Sequence, residues 1–483
     1  MPRSKSDTED VCSTTVETNV DKEASTMKDV IAVRRRLKRK LDIRFVVWAF
    51  LGYFATYLDR SNLPNAYVSG MKEDLLLESS AYNWADTVMR LGYNLFQVPG
   101  SLLLPKVHPR WFLPTLPLLS GVVQCCMSLV KNHQGLLALR FCLGLCQSVL
   151  QPGIVFLLGN WYIDQEVTKR VGIYKASMGV SGAVGGLIAG SIVETIADKA
   201  GLRAWQWLFV VEGLIAIFVG IIGYFMVPNY PHQKTSWITE QERTITMERH
   251  ASQEREISVA PYSWRIFKQI LFKPYTWLMT YIVMTAFFVN SMANFFVVIL
   301  KDMGYDSAFA NYMSTPLNLF SALASLVIGY SSDWFNDHAI HTGAVTAWGT
   351  IWSIIVAVVN HGNTPAALVF VSAYALVIVD TLVTLAFVWV MDIYKGDVNS
   401  RALALGIVNG LGLLIPSFAK VKLWVVTDSP VFWLGKIANV GIGCGAVVAV
   451  LLSWFLIRIK FMLPSHIKPA DQRDDDEKHQ DGD

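Results

Sequence analysis

The sequence Tyr57-Leu-Asp-Arg-Ser-Asn-Leu-Pro-Asn-Ala-Tyr-Val-Ser-Gly-Met-Lys-Glu-Asp-Leu75 connects a long apolar run to charged and polar residues. Asp59 and Arg60 follow directly on an apolar stretch of membrane-spanning length. Charged side chains in such a run are costly unless they pair with one another or face a water-filled cavity. The segment therefore indicates a membrane protein with a polar interior, which favours a role in transport.

The composition supports a membrane protein. Hydrophobic residues make up 53% and charged residues 16% of the 483 residues, whereas soluble domains carry about 25% charged residues. The formal net charge of +3 is too small for this length to indicate a nucleic-acid-binding protein. The six cysteines lie mostly in apolar runs and lack the paired spacing of metal ligands. We interpret them as core residues and expect no disulfide framework and no metal site.

Twelve apolar stretches have the length of about 20 residues that a membrane-crossing helix needs. We number them spans 1 to 12; they lie near residues 43–66, 82–104, 111–131, 134–159, 170–194, 204–227, 275–300, 309–331, 343–361, 365–392, 399–426 and 432–457. The predicted fold is an all-α membrane protein with twelve transmembrane helices in two six-helix halves.

Polar segments divide the chain into five parts. These are an N-terminal tail (1–42), a first bundle (43–227), a central loop (228–274), a second bundle (275–457) and an acidic tail (458–483). Residues 1–30 are polar and lack the apolar core of a signal peptide, so we expect span 1 to direct membrane insertion.

Basic residues such as those from Arg34 to Lys40 cluster at one set of span ends. Because cytoplasmic loops collect such residues, both tails and the central loop are expected in the cytoplasm.

Span 5 carries glycines at every fourth position. Gly182, Gly186 and Gly190 would lie on one face of a helix, and Gly179 and Gly185 are close by. A stripe of small residues lets two helix backbones approach closely. We therefore expect span 5 to pack tightly against another helix.

Several segments resemble one transporter family. They are Leu58 to Leu75, Arg140-Phe-Cys-Leu-Gly144, Gly159-Asn-Trp-Tyr162, Glu166 to Arg170, Trp205-Gln-Trp-Leu-Phe209, Trp389, Arg401-Ala-Leu-Ala404 and Asp428 to Gly435. Together they resemble the fungal allantoate permease group of anion:cation symporters in the major facilitator superfamily, and within it the pantothenate transporter branch. The resemblance implies the major facilitator fold, alternating access, and uptake of a small organic anion, commonly with protons.

Two residues depart from the pattern of this family. Gln147 stands where span 4 usually carries an acidic residue, and Arg90 stands where span 2 usually carries a small or apolar one. The first change removes a candidate proton carrier, and the second adds a cation. Both positions bear on which substrate the chain recognises.

Candidate substrate-binding residues lie in both halves. Arg140, Gln147 and Gln151 share one face of span 4, and a guanidinium can bind a carboxylate through two hydrogen bonds. Arg140 could instead anchor helix packing, and Arg90 could pair with Asp86 one turn earlier. Amide side chains can bind substrate hydroxyl or amide groups, or they can hold membrane helices together. The amide and aromatic candidates are Asn290, Asn294, Asn318 and Trp389.

Asp380 is the main candidate for proton coupling. It lies among apolar residues of span 10, and removal of a carboxylate from water favours its neutral form. A structural pair with an arginine is the alternative. Asp59 is the second proton-coupling candidate, and Arg60 and Asn65 are expected at the outer end of span 1 as a gate or a supporting ion pair. We expect Glu212 in span 6 to stabilise helix ends.

The sequence thus predicts a secondary active importer of a small organic anion, such as pantothenate or a related carboxylate, by proton-coupled alternating access. The alternatives are an exporter of a fungal secondary metabolite and a non-transporting nutrient receptor. The sequence has no H-E-x-x-H, G-x-S-x-G or P-loop motif, so no enzymatic activity is predicted. The expected partners are the anion, protons and the lipid bilayer, without cofactor or nucleic acid. We expect a monomer in the plasma membrane, with an internal membrane such as the vacuole as the alternative.

Overall fold

The computed structural model describes residues 31–77, 80–162, 164–197, 199–251, 264–335, 337–359, 365–393 and 398–462. Every regular element in these ranges is a helix. Residues 1–30 of the predicted N-terminal tail, the middle of the central loop and most of the acidic tail lie outside the described residues. The domain bounds given above therefore stay predictions.

The first six spans form helices close to the predicted positions. The observed helices are Ile31–Ser61, Leu63–Ala66, Tyr67–Met71 and Lys72–Asp74 for span 1, Ala81–Leu103 for span 2, Pro109–Met127 for span 3, His133–Gln147 and Leu150–Trp161 for span 4, Asp164–Thr195 for span 5, and Ala204–Met226 for span 6. The central loop contributes Glu240–Ala251 and Trp264–Leu271.

The last six spans are also helical, with interruptions in spans 7 and 10. The observed helices are Pro274–Val289, Ser291–Asn294 and Phe296–Asp302 for span 7, Ser307–Phe335 for span 8, His338–Val359 for span 9, Ala366–Val377, Ile378–Asp380 and Thr381–Ile393 for span 10, Val398–Leu423 for span 11, and Trp433–Met462 for span 12. Ile378–Asp380 is a short 3₁₀ turn.

The helices have the composition of a membrane protein. In the described part of the chain, nine of them are long and apolar enough to cross a membrane, and these belong to spans 1, 4, 5, 6, 8, 9, 10, 11 and 12. Spans 2 and 3 are helices as well, and span 7 contains the shorter apolar helix Pro274–Val289. The predicted all-α membrane fold is confirmed.

Span 1 extends beyond its predicted outer end. The helix breaks at Asn62 and then continues in short turns to Asp74. Pro64 lies in the first turn after the break, where its missing N–H leaves no hydrogen bond unmade. A further distortion at Gly70 has a φ of 106°, which glycine adopts at little cost. Asp59 therefore lies inside a helical run that continues, with these interruptions, to Asp74.

The two halves repeat one packing scheme. In the first half, span 3 packs on span 6, span 2 on span 4, and span 1 on span 5; in the second half, span 9 packs on span 12, span 8 on span 10, and span 7 on span 11. Adding six to each number in the first set gives the second set. The halves meet through spans 5 and 8 and through spans 2 and 11, which are again equivalent pairs.

The glycine stripe of span 5 lies at the junction between the halves. A Cβ atom added to Gly186 would lie 2.7 Å from the carbonyl oxygen of Asn311 in span 8, and one added to Gly182 would lie 2.7 Å from the side chain of Asn318. Gly190 meets Tyr312 in the same way. The stripe therefore permits the close packing of spans 5 and 8, as its spacing predicted.

Hydrogen bonds connect the halves at one end of the molecule. Side chains of one half donate to main-chain oxygens of the other: Asn83 Nδ2 to Trp424 O at 2.6 Å, Thr87 Oγ1 to Ser417 O at 2.8 Å, Ser307 Oγ to Val68 O at 3.0 Å, and Thr315 Oγ1 to Ala183 O at 2.8 Å. Except for Ala183 in the middle of span 5, these residues lie in the parts of the chain that the basic-residue pattern places toward the outside. The structure is therefore closed at this end.

The opposite end carries charged contacts between the start of span 1 and the central loop. Lys40 Nζ lies 2.7 Å from Glu242 Oε1, and the main-chain N–H of Thr239 donates to Glu242 Oε2 at 2.9 Å. Burial alone would raise the pKa of Glu242, but the hydrogen bonds from Lys40 and Thr239 outweigh this effect and lower it. The helix Glu240–Ala251 is thereby attached to the first half.

Candidate functional site

A polar cavity of about 180 Å³ lies between the two halves. Spans 1, 2, 5, 7, 8, 10 and 11 contribute to its lining, and the charged lining residues are Arg60, Asp86, Arg90, Asp380 and Lys420. Asn83 and Thr87 also line it, and both donate hydrogen bonds to span 11 at the closed end. The cavity is thus bounded by the contacts that join the halves.

Arg60 is held at the wall of this cavity by span 4 and by two aromatic rings. Its Nε donates to Gln147 Oε1 at 2.9 Å. The guanidinium carbon lies 4.4 Å from the ring centroid of Tyr93 and 5.3 Å from that of Tyr57, both within the range of cation–π attraction. These contacts fix the orientation of a planar group that can bind a carboxylate with two hydrogen bonds.

Asp59 lies behind Arg60, away from the cavity. It is fully buried, and the amide of Gln147 donates to its Oδ2 at 3.1 Å. Gln147 therefore connects the charge of Arg60 with that of Asp59. The other oxygen of Asp59, Oδ1, has no hydrogen-bond partner among the described residues.

Arg140 and Glu212 lie deeper in the first half. Arg140 is 1% exposed, its guanidinium carbon is 6.0 Å from the Phe209 ring, and it does not line the cavity. Its Nε and Nη2 have no hydrogen-bond partner within the part of the chain that is described. Glu212 accepts a hydrogen bond of 3.4 Å from Gln124 and is fully buried inside the span 6 helix. It lies between spans 3 and 6, so the expected helix-end role of Glu212 is wrong.

Arg90 pairs with Asp86 on the same helix. The distance between Arg90 Nε and Asp86 Oδ2 is 2.8 Å, as the i, i+4 spacing allows. The guanidinium carbon also lies 5.9 Å from the ring of Phe287 in the second half. Arg90 thus lines the cavity with its charge already matched by a neighbouring carboxylate.

Asp380 and Asn290 meet at interruptions of their helices. Asp380 ends the 3₁₀ turn of span 10, and Asn290 follows the first helix of span 7. Asn290 Nδ2 donates to Asp380 Oδ1 at 2.6 Å. Broken helices near the membrane midplane are typical of transporter binding sites. Both residues line the cavity.

Three further amide residues selected from the sequence line the cavity, namely Asn65, Asn294 and Asn318. Gln151 and Trp389 lie outside the lining. Gln151 Oε1 accepts a long hydrogen bond of 3.4 Å from Tyr53, and Trp389 is buried in the core of the second half. The cavity therefore brings together some of the predicted substrate-binding residues. Gln147 lies outside the lining and accepts a hydrogen bond from Arg60, which is part of it.

Lys420 is a cavity residue that the sequence reasoning missed. It lies in the Val398–Leu423 helix of span 11 and lines the same cavity as Asp380. A lysine inside a predicted transmembrane run is a signal of function, since charged residues there are costly. That signal was present in the sequence.

The comparisons with known proteins agree with this architecture. Residues 49–420 match the model of the Major Facilitator Superfamily. The chain belongs to the major facilitator superfamily. It is 27% identical over 438 residues to the MFS-type transporter cnsO of Penicillium expansum, covering 88% of this chain and 84% of that protein. It is also 31% identical over 243 residues to the pantothenate transporter liz1 of Schizosaccharomyces pombe, covering 49% of this chain and 47% of the relative.

Solved structures of the superfamily share the fold. The crystal structure of a D-xylose-proton symporter superposes with a TM-score of 0.64 at 14% identity, covering 85% of this chain and 96% of that one. A bacterial homologue of the lysosomal transporter Spinster, in an inward-facing and unoccupied conformation, gives a TM-score of 0.61. This major facilitator chain is therefore a multi-pass membrane transporter of a small solute.

Proposed function

We propose that this chain imports a small organic anion together with protons. The observation that carries the proposal is the charge of the cavity, whose lining has three cationic side chains and two carboxylates. Arg90 is matched by Asp86 at 2.8 Å. Arg60 and Lys420 then face a single remaining carboxylate, Asp380, and such a surface attracts an anion.

Arg60 is the proposed anchor for the substrate carboxylate. Arg140 had this role in the sequence interpretation, but it is buried behind the cavity wall. The guanidinium of Arg60 is at the wall, and its orientation is fixed by Gln147 and Tyr93. Arg140 is then proposed to support the first half electrostatically. The amides of Asn65, Asn294 and Asn318 are available for hydroxyl and amide groups of the substrate.

Asp380 is the proposed proton-coupling residue, and Asp59 is the second candidate. Asp380 shares the cavity with the cations that would bind the anion, so its charge acts directly on the same site. Asp59 acts on Arg60 through Gln147. A carboxylate with either placement can link proton binding to anion binding.

The proposed substrate is a vitamin-like monocarboxylate such as pantothenate. The partial match to the pantothenate transporter liz1 supports this choice, as does the resemblance of span 1 to the anion:cation symporter group. A substrate that carries hydroxyl and amide groups would also suit the amides of the cavity. We place the protein in the plasma membrane as a monomer, with its closed end outward.

Uptake of labelled acids tests this function. The chain would be expressed in a fungal strain that lacks its own vitamin carriers, and pantothenate, nicotinate, biotin and allantoate would be supplied at acidic and at neutral pH. We expect uptake of at least one acid that rises at acidic pH. Uptake of none of the four would refute the proposed import and favour an exporter.

Asp380→Asn tests the coupling residue in the same assay. The variant should lose accumulation driven by a pH gradient while it retains exchange of labelled for unlabelled substrate. Asp302→Asn removes an exposed carboxylate at the end of span 7 and is the matched control. Accumulation by the Asp380 variant that still followed the pH gradient would exclude this residue from coupling.

A further inference from the structure

We propose that Lys420 is a second anion anchor and that Asp380 and the substrate carboxylate alternate as partners of its ammonium group. This inference rests on the proposed function, because it specifies how the same cavity couples the proton to the anion. It also specifies the charge of the substrate, which would enter as a monoanion with one proton.

The position of Lys420 is fixed from the main chain. Asn83 of span 2 donates to the main-chain oxygens of Lys420 at 3.3 Å and of Trp424 at 2.6 Å. One turn before Lys420, Thr87 donates to Ser417 O at 2.8 Å. These bonds attach this part of span 11 to span 2, and the Lys420 side chain lines the cavity.

The charges around Lys420 leave Asp380 as its partner. Arg90 and Asp86 of span 2 and Asp380 of span 10 line the same cavity as Lys420. Asp86 is already bonded to Arg90. Arg60 also lines the cavity, but it has the same charge as Lys420 and cannot balance it. Asp380 is thus the carboxylate with which Lys420 can balance its charge when no substrate is bound.

Asn290 can serve both protonation states of Asp380. Its Nδ2 donates to Asp380 Oδ1 at 2.6 Å, which suits the carboxylate. Its own Oδ1 is buried and has no hydrogen-bond partner in the described ranges. An amide contains both a donor and an acceptor, so rotation of the Asn290 side chain would let Oδ1 accept the O–H of protonated Asp380. The site is therefore built to hold a carboxyl group in either form.

The charges of the proton and of the anion offset one another in the cavity. The two groups concerned are Asp380 and Lys420, which line it together. A proton that binds Asp380 forms an O–H bond and removes one negative charge. The ammonium group of Lys420 then takes the carboxylate of the substrate in its place. One proton and one monoanion together add no net charge to the cavity, so the pair would cross the membrane without moving net charge.

Amine labelling of Lys420 tests the pair without any substrate. Full-length protein in lipid nanodiscs would be pulsed with acetic anhydride at neutral pH, and acetylation of Lys420 would be quantified by peptide mass spectrometry with the exposed Lys301 as the internal reference. An ammonium group that has lost its carboxylate partner loses its proton more readily and reacts faster. We expect Asp380→Asn to speed labelling by about tenfold, the factor that a 1.4 kcal/mol interaction gives, and Asp302→Asn to leave it unchanged. Equal labelling in the wild type and the Asp380 variant would overturn the pair.

The same labelling reaction tests whether the anion binds to Lys420. Pantothenate, nicotinate, biotin and allantoate would each be added, and protection of Lys420 by at least one of them is expected. Protection should be stronger at acidic pH in the wild type and independent of pH in the Asp380 variant. If an acid is transported but none protects Lys420, the anchor role fails while the proposed function stands. If no acid is transported or protects, both fail.

Transport variants provide the final check. Lys420→Gln should weaken the apparent affinity for the transported acid by at least about tenfold, whereas Lys420→Arg should retain most of the affinity. The double variant Lys420→Gln with Asp380→Asn should recover part of the lost affinity, because the unpaired carboxylate is gone. Uptake by the wild type should not change when valinomycin and potassium set the membrane potential. Uptake that increased with a negative interior, or a Lys420→Gln variant with unchanged affinity, would refute the scheme.

Discussion

Replacement of Gly186 by alanine should open the closed end of the molecule. The added Cβ would lie 2.7 Å from Asn311 O and 2.9 Å from Thr315 Oγ1, and it would also overlap the hydroxyl of Ser314. One of these neighbours is main chain, so a rotamer change cannot relieve the clash. Overpacking of this kind costs about 1–3 kcal/mol. Since the cost falls on the contact between spans 5 and 8, the equilibrium should shift about 5- to 150-fold away from the closed arrangement.

Distances between spin labels on the two halves measure this shift. Labels on the exposed positions Thr195 and Lys301, in a chain without its six native cysteines, would report the separation of the halves at the closed end. The control is Gly172→Ala in the same helix, where an added Cβ meets nothing within 4 Å and alanine favours the helix by about 1 kcal/mol. We expect a longer-distance population for Gly186→Ala alone. A distance distribution identical in both variants and the wild type would refute the reasoning.

Two further predictions concern single charges. Arg60→Lys keeps the charge but loses the planar fork, so the affinity for the transported acid should fall about tenfold; the concentration dependence of uptake measures this, and an unchanged value would exclude Arg60 as the anchor. Glu242→Gln should lower the stability by about 1 kcal/mol at neutral pH. Burial opposes the lowering of the pKa of Glu242, but the hydrogen bonds from Lys40 and Thr239 and the charge of Lys40 together outweigh it. The carboxylate therefore stabilises the fold above its ordinary pKa, and this contribution is lost as the pH falls through the lowered value. Thermal unfolding of both proteins at several pH values should show the difference vanish in acid, and a constant difference would contradict it.

The fold was readable from the sequence because its determinants are local. The length of each apolar run, the spacing of glycines in span 5 and the i, i+4 pair of Asp86 and Arg90 depend on residues of one helix only. The end of span 1 was harder to predict. Pro64 follows directly on the break at Asn62, and proline is as acceptable in the first turn of a new helix as it is in a loop. The sequence alone therefore did not distinguish an end from a kink.

The sequence predicted the site only in part, because the rotation of each helix about its own axis decides which of its side chains face the cavity. The i, i+7 spacing of Arg140 and Gln147 places them on one face of span 4, but it does not say which neighbour that face meets. In the structure, Gly144 packs against the main chain of Met89 in span 2, and this contact fixes the rotation of span 4. Arg140 is then enclosed within the first half.

Lys420 was missed for a related reason. It lies near Lys422 at the end of its helix, and lysines at helix ends commonly reach toward the membrane interface. Only the packing of span 11 on span 2 shows that the side chain faces the cavity. The residues that the sequence did select there, such as Asp380 and Asn290, were recognisable because they are polar in the middle of an apolar run.

The hydrogen bonds that close one end of the molecule depend on the side chain of the donor residue but not on that of the acceptor residue. Every acceptor among the four bonds described above is a main-chain oxygen, and every donor is a side chain, for example Asn83 and Thr87. A substitution at an acceptor position such as Trp424 or Ser417 leaves the carbonyl in place, whereas a substitution at a donor removes the bond. In a mutational scan, each of these four hydrogen bonds should therefore be lost on substitution of its donor and kept on substitution of its acceptor, whose side chain affects the closed state only through packing.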